Sequence, residues 1–443
     1  MKPDTRIASV HARQIFDSRG RPTVVAEVTL RGGATGHAAA PSGASTGRYE
    51  AHELRDGDPL AYEGRGVSST VANVNTEIAN LIAGRDAADQ SLIDTAMREA
   101  DGTENLSRLG ANAVIATSMA VCRASAHAHR MPLYRYIAML TLNERPTLPM
   151  PMVNILSGGA HARRGMDLQD FLVIPVAAKS YMEALQNALR VRASADRVAA
   201  RRGLSTLLAD EGGLSPGCKR ATDALDLLME AIEHAGFVPG RDIAIALDVA
   251  ASELFADGRY RFRNESRALS SAIMIETILD WLRRYPIVSI EDALHQDDWE
   301  NWAKLTSAAA SVQLVGDDLF ATSVSRITRG IHVGAANAVL IKPNQNGTVS
   351  GTLDALARAR SGGFATIVSA RSGETEDSFI ADLAVGTGAG QIKIGSVRTS
   401  ERMCKYNRLI HISEDPAVSF SGIQRFGGTS HRQLQSASSH AII

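Results

Sequence analysis

Beyond residue 240, five short apolar runs each close on a charged residue: Ile243 to Asp248, Ile287 to Glu291, Val312 to Asp317, Ala338 to Lys342 and Thr366 to Arg371. The closing residues stand 43, 26, 25 and 29 positions apart. Runs of this kind suit parallel strands buried on both faces, and such intervals leave room for a helix and two turns between strands. Three more runs, Pro151 to Leu156, Asp170 to Pro175 and Gln391 to Ile394, bring the candidates to eight. The pattern predicts a parallel (β/α)8 barrel, irregular at its start because no helix-length segment separates the first two runs. In a barrel the carboxyl ends of the strands converge on one mouth. All five charges then meet there.

That convergence gives the residues their chemistry. A single strand-end lysine most often snorkels to solvent, and a single strand-end acid most often caps the next helix. Three carboxylates, Asp248, Glu291 and Asp317, followed by Lys342 and Arg371 at consecutive strand ends make a different case. All-oxygen ligands without histidine or thiolate suit Mg²⁺ rather than zinc. Lys342, desolvated and stopped by Pro343, is a candidate base for a proton next to a carboxylate. Glu211, in Ala209-Asp-Glu-Gly-Gly213, is a candidate general acid on a turn. His161 follows the first run in Ser157-Gly-Gly-Ala-His161 and faces the same mouth.

The rest of the chain divides around this barrel. Residues 1–137 read as a capping α+β domain, with strands from Ile7 to about Ala40 and helices from about Gly66. Between them, Pro41-Ser-Gly-Ala-Ser-Thr-Gly47 is a run of small residues suited to a mobile loop that approaches an anion. Residues 138–149, with Pro146 and Pro149, read as a linker; 150–423 as the barrel; 424–443, rich in Ser, Gln and His, as a flexible tail. Basic and acidic residues balance at 47 and 48, so no global field points to nucleic acid or an anionic membrane. Cys122, Cys218 and Cys404 form neither a metal pattern nor an even disulfide set, which fits a reducing cytoplasm. The N-terminus has no signal-like apolar region, and no stretch approaches the roughly 20 apolar residues of a membrane span.

With these features in place the sequence resembles the enolase family from about Ile7 to about Glu414. The resemblance is carried by Asp17-Ser-Arg-Gly-Arg-Pro-Thr-Val24, the loop Pro41 to Gly47, Glu53-Leu-Arg-Asp-Gly-Asp58, Leu109-Gly-Ala-Asn-Ala113, Asp210-Glu-Gly-Gly213, Ser289-Ile-Glu-Asp292, Val315-Gly-Asp-Asp-Leu319, Arg371-Ser-Gly-Glu-Thr-Glu-Asp377 and Gln391-Ile-Lys393. It implies Mg²⁺-dependent loss of water from a 2-phosphoglycerate-like substrate. Lys342 would be the base at C2 and Glu211 the acid at the C3 hydroxide. Asp248, Glu291 and Asp317 would hold a first Mg²⁺, and Ser45 a second as its loop closes. Lys393 would neutralise the substrate carboxylate, Arg371 and Ser372 would clamp the phosphate, and His161 and Asp170 would line the site. The resemblance further implies at least a homodimer taking a small anionic substrate.

The sequence departs from the family pattern around that set. Ala370 stands where the family has a histidine, and Asp170 where it has a glutamate. Ser157 replaces an asparagine, Ala209 a glycine, Asn346 an apolar residue and Ile394 a threonine, while Arg163 and Arg164 enter the loop after His161. These changes favour a diverged enolase acting on a modified substrate with a larger phosphorus end. Ala370 would free the volume of an imidazole, and Arg163 with Arg164 would meet extra negative charge. A carboxyphosphono group fits, as in enolase-like proteins associated with making carboxyphosphonoenolpyruvate in phosphinate pathways. The alternatives are an ordinary glycolytic enolase, which forms phosphoenolpyruvate, and a catalytically inactive enolase-like binding protein. A complete acid, base and ligand set speaks against the last.

Overall fold

The computed structural model describes residues 3–44 and 47–422. The predicted tail 424–443 and Ser45 lie outside the described residues. The chain opens with a three-stranded antiparallel sheet, β1 (Ile7–Phe16), β2 (Pro22–Leu30) and β3 (Thr35–Ala39). Three main helices follow, α1 (Gln90–Asp101), α2 (Ala111–Ala128) and α3 (Leu133–Leu140). The small residues of α2 bring it against the sheet: a Cβ on Gly36 would lie 2.3 Å from the Ala120 carbonyl oxygen, so only glycine permits the approach. α3 runs to Leu140, into the stretch expected to be linker.

Eight strands then close a barrel: β4 (Met150–Ser157), β5 (Asp170–Ile174), β6 (Ala244–Asp248), β7 (Ile287–Glu291), β8 (Gln313–Gly316), β9 (Ala338–Ile341), β10 (Ala365–Ser369) and β11 (Gln391–Gly395). Their order around the barrel is β7-β8-β9-β10-β11-β4-β5-β6. Each of the eight apolar runs is a strand, to within two residues at its ends. One feature differs from an all-parallel barrel: β5 runs antiparallel to both β4 and β6. The physical reason is the connection. Only a 3-10 turn, Gly159–Ala162, lies between β4 and β5, whereas a parallel return needs a crossover helix.

The outer ring is α4 (Tyr181–Arg201), α5 (Ala221–His234), α6 (Ser271–Arg284), α7 (Trp299–Ala308), α8 (Val324–Val333), α9 (Val349–Ser361), α10 (Phe379–Thr387) and α11 (Ser400–Ser413). Local signals set their ends. Ser180, Ser270 and Thr348 accept from the first-turn amides of α4, α6 and α9, and Gly334 and Gly388 end α8 and α10 in the left-handed conformation. Met150, Met152, Leu172, Ile174, Val315, Leu340 and Ile367 fill the barrel interior. Gln313 and Gln391 exchange amide hydrogen bonds at 3.0 and 2.7 Å in that interior, so these buried polar side chains are partnered. The capping domain is pinned to the barrel by Arg123 of α2, which donates to both oxygens of Asp377 at 2.6 and 2.7 Å. Among the described residues no helix is long and apolar enough to cross a membrane.

Candidate active site

The strand ends deliver their charges into one narrow cavity, lined among others by Glu50, His161, Glu211, Asp248, Asp317, Lys342, Ala370, Arg371, Ser372 and Lys393. Strand register sets the arrangement: Asp170, Asp248 and Glu291 sit side by side on β5, β6 and β7. Lys393, on β11, reaches across and donates at 2.7 Å to Asp248 Oδ2 and at 2.7 Å to Glu291 Oε2. Lys342 is held extended at the end of β9 because Pro343 starts the next short helix, and its Nζ donates to Asp317 Oδ2. Asp317 Oδ1 accepts from Gln345 Nε2 at 2.8 Å.

The electrostatics of this side are those of crowded carboxylates. Burial, and then the neighbouring Asp248 charge, push Glu291 well above the ordinary carboxylate range. Burial also works to raise Asp248 and Asp317, but the ammonium groups of Lys393 and Lys342 outweigh it and hold both low. Lys342 differs from the neutral amine expected of a desolvated lysine. Burial favours loss of its proton, yet the touching Asp317 carboxylate wins and raises it.

The opposite wall comes from the irregular strands. His161, buried, places Nδ1 3.2 Å from Asp170 Oδ2 and Nε2 3.7 Å from Glu211 Oε1. Burial alone would lower this imidazole, but Glu211 and Asp170 raise it to about 9. Glu211 is carried on a tight turn in which Gly212 has φ +82°, and its carbonyl accepts from Ser396 N at 2.9 Å. For Glu211, burial is outweighed by His161 and Arg402, which hold the carboxyl low; for Asp170, burial prevails over His161 and raises it.

A third side joins the capping domain to the barrel. Arg371 Nη1 donates to Glu50 Oε2 at 2.6 Å and to Asn344 Oδ1 at 3.2 Å. Glu50 Oε1 accepts from Gly47 N at 2.8 Å, and Ala44 N donates to Ser372 Oγ at 2.6 Å. The described ends of the small-residue loop thus rest on the Arg371-Ser372 segment. Ala370 contributes only a methyl to the cavity wall. Arg163 and Arg164 are not brought into the cavity: both are exposed, both have positive φ, and Arg164 pairs with Glu253 at 3.3 Å.

Several site residues escaped sequence reasoning. Glu50 stands three residues past the small-residue loop, in no motif that marks it. Asp292 and Asp318 are the second members of the two acidic pairs whose first members were read as ligands. Asp292 accepts the amides of Asp317 and Asp318 at 2.9 and 2.8 Å and so aims Asp317. Burial, then Asp317, push Asp318 up to about 7. Asn154, inside an apolar run, offered no signal at all.

The carboxylates fit a hard divalent cation. Glu291 Oε1 is buried without a hydrogen-bond partner, and the donors are oxygens that repel one another unless a cation lies among them. Among the described residues, two groups bring their ligand atoms close enough to share an ion, Asp292 with Asp317 and Asp318, and His161 with Asp170 and Glu211; Asp248 and Glu291 belong to neither.

A closed barrel with one reversed strand thus carries facing lysine, carboxylate and arginine groups at its strand ends, beneath a capping α+β domain. Residues 7–137 match the family model of the enolase N-terminal domain, and residues 145–429 match that of the enolase C-terminal TIM barrel domain. The chain belongs to the enolase family.

Proposed function

We propose that the chain removes water from a 2-phosphoglycerate-like substrate whose phosphorus end is larger than a phosphate, of the carboxyphosphono class. The observation that carries this reading is the methyl of Ala370, 6% exposed, lining the cavity beside Arg371 and Ser372. A ring side chain there would fill space next to the arginine. A methyl leaves it to the substrate.

Lys342 takes the proton from C2, and Lys393 offsets the charge that builds on the substrate carboxylate. Arg371 and Ser372 grip the phosphorus end. The C2 electron pair becomes the C2=C3 double bond as the C3–O bond breaks, and the departing hydroxide leaves as water with the proton held by the facing pair Glu211 and His161. Asp248, Glu291, Asp317 and Ser45 are the residues that would hold two Mg²⁺ ions. When bound, such cations supply counter-charge to the carboxylates that now keep Lys342 protonated, and stabilise charge on the substrate carboxylate. Ala44, whose amide donates to Ser372 Oγ at 2.6 Å, helps to keep water from the phosphorus end. We read the working form as a cytoplasmic homodimer or higher homo-oligomer.

Phosphorus NMR with 2-phosphoglycerate and with its carboxyphosphono analogue, each with and without Mg²⁺, tests the reading. The expected result is Mg²⁺-dependent turnover that favours the analogue. Faster turnover of 2-phosphoglycerate would instead make the chain an ordinary enolase, and no turnover of either would make it a binding protein.

A further inference from the structure

Ser157 and Asp170 are directly opposed on the antiparallel pair β4 and β5, so their side chains share one face. Both are fully buried. Asn154 Nδ2 donates to Asp170 Oδ1 at 2.6 Å and to Ser157 Oγ at 2.8 Å, and Ser157 Oγ lies 3.0 Å from the same Asp170 oxygen. A hydroxyl carries one proton. Since Asn154 already donates to Ser157, the Ser157 proton goes to Asp170, and Asp170 Oδ1 accepts twice. Its other oxygen faces His161 Nδ1 at 3.2 Å. Asn154 Oδ1, by contrast, is buried without a partner among the described residues. Leaving that oxygen unpaired is costly, so the amide is oriented for the sake of the carboxylate. Gly213 backs the arrangement: a Cβ there would stand 2.5 Å from Ser157 Oγ.

We infer that Ser157 and Asn154 are positioning residues for the acid side of the site: they lock Asp170 as a pure acceptor, which fixes His161 with Nδ1 protonated and Nε2 turned to Glu211. The inference rests on the reading of Glu211 as the group that serves the leaving hydroxide. The lock makes no hydrogen bond to Lys342 or Lys393, and Asp170 meets Lys393 through charge alone. It therefore acts on C–O cleavage and not on removal of the C2 proton.

The two steps separate experimentally. Loss of deuterium from C2-deuterated substrate reports Lys342, and product formation reports the acid side, both measured with Mg²⁺ on the full chain. For Ser157→Ala we expect elimination to fall about tenfold with C2 exchange within twofold of the parent, and Ser157→Thr, which keeps the hydroxyl, to restore elimination. A parallel loss of both steps in Ser157→Ala, or no loss of either, overturns the inference. So does an imidazole ¹⁵N spectrum of the unsubstituted protein in which His161 Nδ1 lacks a proton, a measurement independent of how any variant folds. If the unsubstituted protein shows neither exchange nor elimination, the functional reading itself fails, a result distinct from the others.

Discussion

The barrel mouth has two halves built on opposite rules. From β6 to β11 the strands are parallel; Asp248, Asp317, Lys342 and Arg371 each line the mouth from the end of a strand, with Glu291 at the end of β7 behind Lys393. Across from them, β5 is reversed, so the residue it presents to the mouth is its first, Asp170, and the remaining groups come from turns. The regular half pairs charges across strands through lysines. The irregular half holds its groups by local hydrogen bonds around one carboxylate. The two halves join at the Asp170–Asp248 register, where Gln169 Nε2 also donates to Asp248 Oδ2 at 3.2 Å.

The sharpest way to break that comparison is to remove one group from each half. Lys342→Ala should abolish both C2 exchange and elimination, by roughly 10⁴-fold, because it deletes the base on which both depend. Glu211→Gln should cost elimination about 10³-fold while C2 exchange persists. Equal loss of exchange in the two variants would mean the halves do not work separately. Circular dichroism and melting curves must accompany both, since Lys342→Ala also strips Asp317 of its counter-charge.

A smaller effect concerns how the capping domain is held on the regular half. Burial would raise Asp377, but Arg123, together with the Phe379 and Ala39 amides, outweighs it and keeps the carboxyl below its ordinary value. A depressed folded value contributes stability that is present above the unfolded value near 3.9 and lost as pH falls through the folded one. Arg123→Met should therefore cost about 3 kcal/mol in denaturant unfolding near neutral pH. The gap to the parent should narrow as the pH drops below about 4. A gap that widened on acidification would show that the Asp377 pairing is not what holds the domains together.

The same contrast explains what could be read before the structure was known. Spacing encodes parallel units, since a strand, a helix and two turns take a nearly fixed number of residues, so Asp248 through Arg371 were legible as a set. The reversal of β5 was not, because a short run such as Asp170 to Pro175 looks the same in either direction. The clue was present in the missing helix before it. Asn154 was illegible as a site residue and Ser157 stood out only as a departure from the family pattern, since their role depends on a cross-strand partner 13 to 16 positions away. Arg163 and Arg164 misled in the opposite sense: charge beside a site residue says little when a left-handed turn carries both side chains to the surface. The direction of the Lys342 shift was also out of reach, because it depends on contact with Asp317 winning over burial.

The smallest expected effect bears on Ala370, on the regular half just past β10. Its amide donates to the Lys393 carbonyl at 2.9 Å, its side chain faces the cavity, and its neighbour Arg371 is fixed from the capping domain by Glu50. The backbone is thus held from both sides and a new side chain has only the cavity to enter. Ala370→His should raise turnover of 2-phosphoglycerate about tenfold, by adding a polar group near the phosphorus end, and lower turnover of the carboxyphosphono analogue by a similar factor. Competition between the two substrates in one tube, followed by phosphorus NMR, reads the ratio directly and is insensitive to the fraction of folded enzyme. A ratio that stays put would separate Ala370 from substrate choice and return the selectivity question to the wall around Asp170.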